Sequence, residues 1–311
     1  MQGMTLSLQQ RGVLQMTAAM VISGTVGAFV FESGQGATNV VFFRCLFGAI
    51  ALGAYCAAQG LLRREHLTRR VLLLAAAGGA AIVFNWVLLF ASFHHASISI
   101  ATAVYNTQPF MLIGLGVLFL GERVGAARLG WIVVAFSGLL LVIGLFGTPV
   151  GGHGGGPAAS GGAWLGFGLA MGAAMLYAVA ALVIKRLHGT PPQLVAFLQV
   201  GLGVLLLAPL ADFQALPQAP APWLWLLGMG LLHTALMYIL LYAAIQNLPT
   251  PRIAVLSFIY PAVALAVDHA FYGQQLGAWQ WLGIGLIALG NLGVNLGWNP
   301  LQRGERGAAG A

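Results

Sequence analysis

Long apolar runs broken by short polar interruptions dominate this chain. A membrane-crossing helix needs about 20 mostly apolar residues. Ten such stretches can be cut from the sequence: 12–31, 38–59, 71–92, 97–119, 127–147, 163–185, 192–211, 222–246, 251–271 and 277–298. The runs are continuous rather than alternating, so they predict helices and exclude a transmembrane β-barrel. The breaks carry charge or turn residues, among them Arg63-Arg64-Glu65, Gly121-Glu122-Arg123, Lys185-Arg186 and Pro249-Thr250-Pro251. The first run is long for the apolar core of a signal peptide and has no clear small-residue cleavage site, so it is expected to stay as a membrane helix.

The ten stretches fall into two related sets. A shift of 155 residues aligns the first two stretches with the sixth and seventh, matching Leu14 with Leu169, Met16 with Met171, Gly34 with Gly189, Phe42 with Phe197 and Gly48 with Gly203. A shift of 152 aligns the fourth and fifth with the ninth and tenth, matching Pro109 with Pro261, Phe119 with Phe271, Gly121 with Gly273, Ile132 with Ile284 and Gly138 with Gly290. Between the halves, Gly147 to Gly162 holds eight Gly in sixteen residues and reads as a flexible linker containing a solvated His153. Five helices per half is an odd number, so the second half enters the membrane upside down. Inverted repeats of this kind are a transporter architecture with the site near the midplane. The expected fold is an all-α polytopic membrane protein with ten transmembrane helices in two inverted five-helix repeats, 12–147 and 163–298. A linker over 148–162 faces the periplasm, and a tail over 299–311 faces the cytoplasm.

Composition agrees. Of 311 residues, 59% are hydrophobic and only 6% charged, where a soluble domain carries about 25% charged residues. That excludes a soluble enzyme and a disordered chain. The net charge of +7 does not point to nucleic acid, because the 13 basic residues sit almost wholly in short loops. Their placement orients the chain. With the N-terminus inside, Arg11, Arg63, Arg64, Arg69, Arg70, Arg123, Arg128, Lys185, Arg186, Arg252, Arg303 and Arg306 all lie on the inner side, and Arg44 lies within the second stretch. Both termini are therefore expected inside. Cys45 and Cys56 lie eleven residues apart in one stretch, too far along one helix to bridge.

Polar side chains inside the stretches are the candidate chemistry. Pro109 and Pro261 each fall about eleven residues into a predicted helix. There a proline would free the carbonyls of Tyr105 and Ser257, which must be buried in protein or face a wet cavity. The two prolines either kink helices for packing or form a cavity wall. Helix spacing puts Thr102, Tyr105, Asn106 and Pro109 on one face. Other stretches add Ser23, Thr25, Asn85, Trp86, Tyr177, His233, Thr234, Tyr238, Ser257 and Tyr260. Rings to stack on, with amides and carbonyls for an ammonium and a carboxylate, suit an amino acid with an apolar or aromatic side chain. The alternative for each is an interhelical hydrogen bond, worth about 0.6 kcal/mol.

His233 is the ionisable side chain at mid-depth and hence a functional candidate, although burial in low dielectric favours its neutral form. Arg44 can reach outward, pair with Glu32, or bind a substrate carboxylate. Glu122 is expected to pair with Arg123 or Arg128, or to cap the fifth helix. His94 and His95 are adjacent and cannot share a helix face, so no metal site and no cofactor is expected. Trp223, Trp225, Trp279, Trp281 and Trp298 lie near stretch ends as interfacial anchors.

The last two stretches of each half resemble the EamA signature of the drug/metabolite transporter superfamily. Pro109, Gly121-Glu122, Gly130 and Gly138 carry it in the first half, and Pro261, Gly273-Gln274 and Gly290 in the second, with Arg44 also fitting. The second half departs at Gln274 and at Gln199, which stands opposite Arg44. The resemblance, strongest to the YddG-type aromatic amino acid exporters, implies small-metabolite export across a bacterial inner membrane. The expected protein is a monomer in the bilayer that exports aromatic or other neutral amino acids by alternating access. With Glu32, Glu65, Glu122, Asp212, Asp268 and Glu305 at or near stretch ends, an uncoupled facilitator is expected. A proton-coupled multidrug or metabolite exporter is the alternative. A phosphorylated-sugar antiporter would need several intramembrane Lys or Arg. A membrane-embedded enzyme would need a carboxylate pair or a nucleophile with its base, and the stretches hold neither.

Overall fold

The computed structural model describes residues 7–95, 104–142, 163–272 and 277–298, and every regular element among them is helical. Helix α1 (Leu8–Gly24) opens on a capping box: Ser7 Oγ accepts from the Gln10 N–H, and the Gln10 side chain accepts from the Ser7 N–H. Two of the N–H groups that a helix start leaves over are thereby satisfied. The rod breaks at Thr25 and continues as α2 (Val26–Ser33). There follow α3 (Ala37–Ala58), α4 (Arg69–His95), α5 (Gln108–Leu120), α6 (Ala126–Val142), α7 (Ala163–Arg186) and α8 (Pro192–Leu207). A π-helical turn, Leu231–Leu236, joins α9 (Pro220–Gly230) to α10 (Met237–Asn247). Then come α11 (Thr250–Ser257), α12 (Ile259–Tyr272) and α13 (Ala278–Asn295).

Among the described residues, seven helical stretches are long and apolar enough to cross a membrane, and three apolar helices are shorter: Gln108–Leu120, Ala126–Leu141 and Ala278–Val294. The short ones coincide with the fourth, fifth and tenth expected stretches. The linker 147–162, the tail 299–311 and the start of the fourth stretch lie outside the described residues.

The prolines are not where a continuous kinked rod would put them. The chain turns at Asn106–Thr107, and Pro109 lies in the first turn of α5. It turns again at Phe258, and Pro261 is the third residue of α12. A first helical turn asks for no internal N–H donor, so a proline there costs nothing. The turns close instead on shorter bonds, Thr107 N–H to the Val104 carbonyl at 3.0 Å and Phe258 N–H to the Val255 carbonyl at 3.2 Å. Residues 106 and 258 are separated by 152, the offset that relates the prolines themselves.

The same offsets run through the packing. Helix α4 packs on α7, and α10 on α1; α3 packs on the π turn and α9, and α8 on α4; α5 packs on α7, and α12 on α1. Pairs α3–α8 and α6–α13 map onto themselves when the halves are exchanged. Gly34 and Gly189, 155 residues apart, both take positive φ (61° and 88°) in the turn after the first rod of their half. Glycine enters that region without the Cβ clash other residues meet. Where α6 crosses α13 the backbones touch. A Cβ on Gly138 would lie 2.6 Å from the Gly283 carbonyl oxygen, and one on Gly290 2.7 Å from that of Trp131. Close approach through small residues is how membrane helices gain packing energy without a hydrophobic drive between them. Large apolar side chains such as Leu118, Leu205, Leu224 and Phe271 stay exposed on the outside, as a lipid-facing surface requires.

Candidate functional site

Two irregularities in the helices meet. Thr25, at the break between α1 and α2, has its hydroxyl 2.8 Å from the Ile22 carbonyl and 2.9 Å from His233 Nε2 in the π turn. A hydroxyl has one proton. Donated to Ile22, it leaves Thr25 to accept from the His233 Nε2–H. Nδ1 is buried within the bundle. The ring packs edge-on against Phe29, centroids 4.4 Å apart, and Phe29 packs on Trp225. The π turn places Thr234 Oγ1 2.9 Å from the carbonyl of Met229, five residues back. Such turns are frequent at functional sites. Helix α3 reaches this turn only because Gly48 has no side chain: a Cβ there would sit 2.5 Å from Thr234 Cγ2.

Arg44 points inward, neither outward nor toward Glu32 as the sequence reading had it. Its side chain is 6% exposed. Nε–H donates to Thr234 Oγ1 at 3.3 Å and an Nη2–H to the His233 carbonyl at 3.1 Å. Its Cζ lies 4.4 Å from the Trp86 ring centroid and 5.8 Å from that of Tyr238. A guanidinium over a buried aromatic face gains on the order of 2 kcal/mol when desolvated. The π turn's carbonyl and the Trp86 face thus hold the cation in an otherwise apolar place.

The aromatic stack continues across the molecule. Trp86 stacks with Tyr238 (6.2 Å, 8°) and Tyr238 with Tyr242 (5.2 Å, 11°). The Tyr242 hydroxyl donates to Gln199 Oε1. Gln199 is the residue 155 positions from Arg44, so the stack runs between two repeat-related positions.

On its other side lies a tyrosine cluster. Asn85, fully buried, donates from Nδ2 to the Ala173 carbonyl at 2.6 Å and to the Tyr105 hydroxyl at 3.3 Å. Tyr177, Tyr238 and Tyr260 lie in the neighbourhood of the Tyr105 hydroxyl, and Asn106 hydrogen-bonds Tyr260. Asn85, Trp86, Tyr105, Asn106, Tyr177, Tyr238 and Tyr260 thus come together from both halves of the chain. Other expected residues do not join them so plainly. Ser257 donates its proton to the Ile253 carbonyl at 2.9 Å, within its own helix. Ser23 is half-buried on α1, and Thr102 lies outside the described residues, as do the side chains of His94 and His95. Tyr242 was missed, although its spacing of four from Tyr238 puts both rings on one helix face.

At the far end of α5, Glu122 ties three rods. Its carboxylate takes a 2.6 Å ion pair from Lys185 on α7 and accepts the Thr250 N–H at 3.0 Å, capping α11. Partial burial works against its charge, but the bonds from Lys185 and Thr250 outweigh that and hold the carboxyl below its ordinary range. The expected partners Arg123 and Arg128, and the expected cap on the next helix, give way to partners from the other half. Beside it, Arg69, Arg70, Leu73, Leu74 and Arg186 line a cavity of about 420 Å³. Trp279, Trp281 and Trp298 are exposed, as interfacial anchors should be, whereas Trp223 packs on Phe43, with ring centroids 5.2 Å apart.

Comparison with known proteins gives a consistent answer. The sequence profile of the EamA-like transporter family matches twice, over residues 10–144 and 164–296. An uncharacterized transporter, YxxF, of Bacillus subtilis (strain 168) is 34% identical over 283 residues, covering 89% of this chain and 87% of that protein. An uncharacterized transporter of Archaeoglobus fulgidus is 27% identical over 287 residues, covering 90% and 95%. A protein of known crystal structure, 16% identical, shares the fold with a TM-score of 0.77 over 93% of this chain and 97% of its own. Apolar helices fit to cross a bilayer, an aromatic and amide cluster drawn from both halves and a twofold match to one family agree: the chain is a multi-pass membrane protein of the EamA-like transporter family, within the drug/metabolite transporter superfamily.

Proposed function

We propose that the protein exports small metabolites, aromatic or other neutral amino acids foremost, across a bacterial inner membrane, as a monomer working by alternating access. In this reading ten crossings form two inverted repeats, 12–147 and 163–298, joined by a periplasmic linker, with both termini in the cytoplasm. The observation that carries the substrate class is the convergence of Tyr105, Tyr177, Tyr238 and Tyr260 with Asn85 and Trp86. Rings and amides, with no carboxylate among the described residues of the cluster, suit a neutral zwitterion with an apolar side chain. The exchange of helix pairs at fixed offsets supports the inverted repeat. The paired turns at Asn106–Thr107 and Phe258 support a moving site at the midplane, because broken helices are the usual walls of transporter sites.

The hydrogen bond between His233 Nε2 and Thr25, whose own proton turns to the Ile22 carbonyl, fixes the imidazole as a hydrogen-bonding group and favours uncoupled facilitation. The second reading is proton coupling through the same imidazole, an ionisable side chain at mid-depth. Uptake into proteoliposomes tests both, using a panel of amino acids, sugars and cationic drugs with and without an imposed pH gradient. Facilitated entry of aromatic amino acids, with His233→Gln retaining most of it, is expected. Uphill accumulation driven by the gradient alone and lost in His233→Gln establishes the second reading. A panel in which no amino acid moves removes the substrate assignment.

A further inference from the structure

We propose that Arg44 is the anchor for a carboxylate of the transported molecule, which makes the site selective for aromatic and apolar carboxylates over the corresponding amines. The proposal rests on the reading of the aromatic cluster as the substrate site, and adds to it the charge that selects the ligand.

The argument starts from cost. A cation far inside a membrane bundle persists only with partners that replace water. A guanidinium has five N–H donors in a planar fork. Among the described residues Arg44 uses two, to Thr234 Oγ1 and to the His233 carbonyl. No carboxylate lies within ion-pair distance of it among those residues, where the ion pairs are Arg63–Glu65 and Lys185–Glu122. The fork therefore keeps N–H groups, both of those on Nη1 among them, for an acceptor that the described protein does not supply. A carboxylate is the group whose two oxygens match a guanidinium edge.

The surroundings say what the rest of the ligand is. The guanidinium lies over Trp86 at 4.4 Å, and Trp86 begins the stack that runs through Tyr238 to Tyr242. A molecule whose carboxylate meets Arg44 has aromatic faces beside it for its side chain. The related position shows that the fold does not need the charge. Arg44 packs on His233 and Thr234, and Gln199 packs on Gly78 and Gly79, each 155 residues away from its counterpart. A Cβ on Gly78 would collide with Gln199 Nε2, and one on Gly79 would lie 3.1 Å from Gln199 Cα. A glutamine fills that niche in the second half. That niche lies on regular α-helix and not on a π turn, so the repeated packing does not itself call for a charge at this register position.

Isothermal titration of the detergent-solubilised full chain tests this with phenylalanine, with 3-phenylpropionate, which keeps the carboxylate, and with phenethylamine, which lacks it. Wild-type protein should bind the first two and bind phenethylamine at least ten-fold more weakly. Arg44→Gln, which copies the residue at 199, should elute as the wild type does and lose about 10- to 100-fold in affinity for both carboxylates. Arg44→Lys should lose less. Equal affinity of Arg44→Gln and wild type for 3-phenylpropionate overturns the proposal, as does wild-type binding of phenethylamine as tight as that of phenylalanine. Liposome uptake separates the two layers. Phenylalanine transport unchanged in Arg44→Gln leaves the transport reading standing and removes this one. Arg44-dependent binding of 3-phenylpropionate with no amino acid transported does the reverse.

Discussion

Glu122 is the place where a single substitution should report on both stability and pH. Its carboxylate joins α5 to Lys185 on α7 and to the first N–H of α11, and the two side chains are 21% and 9% exposed. Removing one partner of a fully buried pair costs about 3–5 kcal/mol, and a hydrogen bond to a charged group is worth about 1.5–3 kcal/mol. A fifth of the Glu122 side chain meets solvent, so the lower end applies. Glu122→Ala should lose about 2 kcal/mol, roughly 4 °C in the unfolding temperature of a chain this size. Glu122→Gln keeps an acceptor for Thr250 and should lose about half of that. The folded carboxyl lies below its ordinary range. Its contribution is therefore complete above the unfolded value of about 4.3 and is lost as pH falls through the folded one. The gap between wild type and Glu122→Gln, read by thermal unfolding in detergent, should be widest near neutrality and close on the acid side. A Lys185→Met partner variant should make the double substitution cost less than the sum of the singles. A gap that persists unchanged into acid, or additive singles, would refute the assignment of this link as an ion pair.

Further outcomes follow from the geometry. Cysteines introduced over 147–162 should react with an impermeant thiol reagent in intact cells, and cysteines over 63–70 only after permeabilisation; the opposite pattern reverses the topology. Pro109→Ala and Pro261→Ala should leave stability within about 1 kcal/mol, because each proline lies in a first turn, yet lower transport by letting the preceding turns rewind. Normal transport by both variants reduces the turns to packing features. Gly290→Val should cost about 1–3 kcal/mol, since a Cβ there would lie 2.7 Å from the Trp131 carbonyl oxygen, while Gly285→Ala meets nothing within 4 Å and should behave as wild type. Yield and unfolding temperature read both.

Much of the architecture was legible because a bilayer demands long apolar runs, and such runs need no tertiary information to be seen. The clustering was legible in kind: seven of the residues singled out for polarity in apolar surroundings come together, since nothing in lipid would satisfy Asn85, Asn106 or a tyrosine hydroxyl. Direction was not legible. Arg44 has outward, paired and carboxylate-binding roles open to it in the sequence, because its partners, a π-turn carbonyl and the Trp86 ring, come from segments about 190 and 42 residues away. The π turn at Leu231–Leu236 has no proline or glycine inside it to announce it. The prolines were read as kinks in continuous rods because composition cannot tell a proline inside a helix from one that begins the next.

The duplication is where sequence and structure speak to each other most directly. Offsets found by matching a few glycines, prolines and phenylalanines also relate features of backbone and packing. They relate the two positive-φ turns at Gly34 and Gly189. They relate the turn at Asn106 to the one at Phe258. They also relate the niche of Arg44 on His233 and Thr234 to the niche of Gln199 on Gly78 and Gly79. In that last pair the register is shared and the local backbone and chemistry are not: a cation, an imidazole and a hydroxyl at a π turn correspond to an amide and two glycines on a regular helix. On the proposed reading, a repeated scaffold in which one copy gains charge and ring nitrogen has its selectivity on the side of that copy. That side, around Arg44, His233 and Thr25, is where substitutions should change what is carried rather than whether the protein folds.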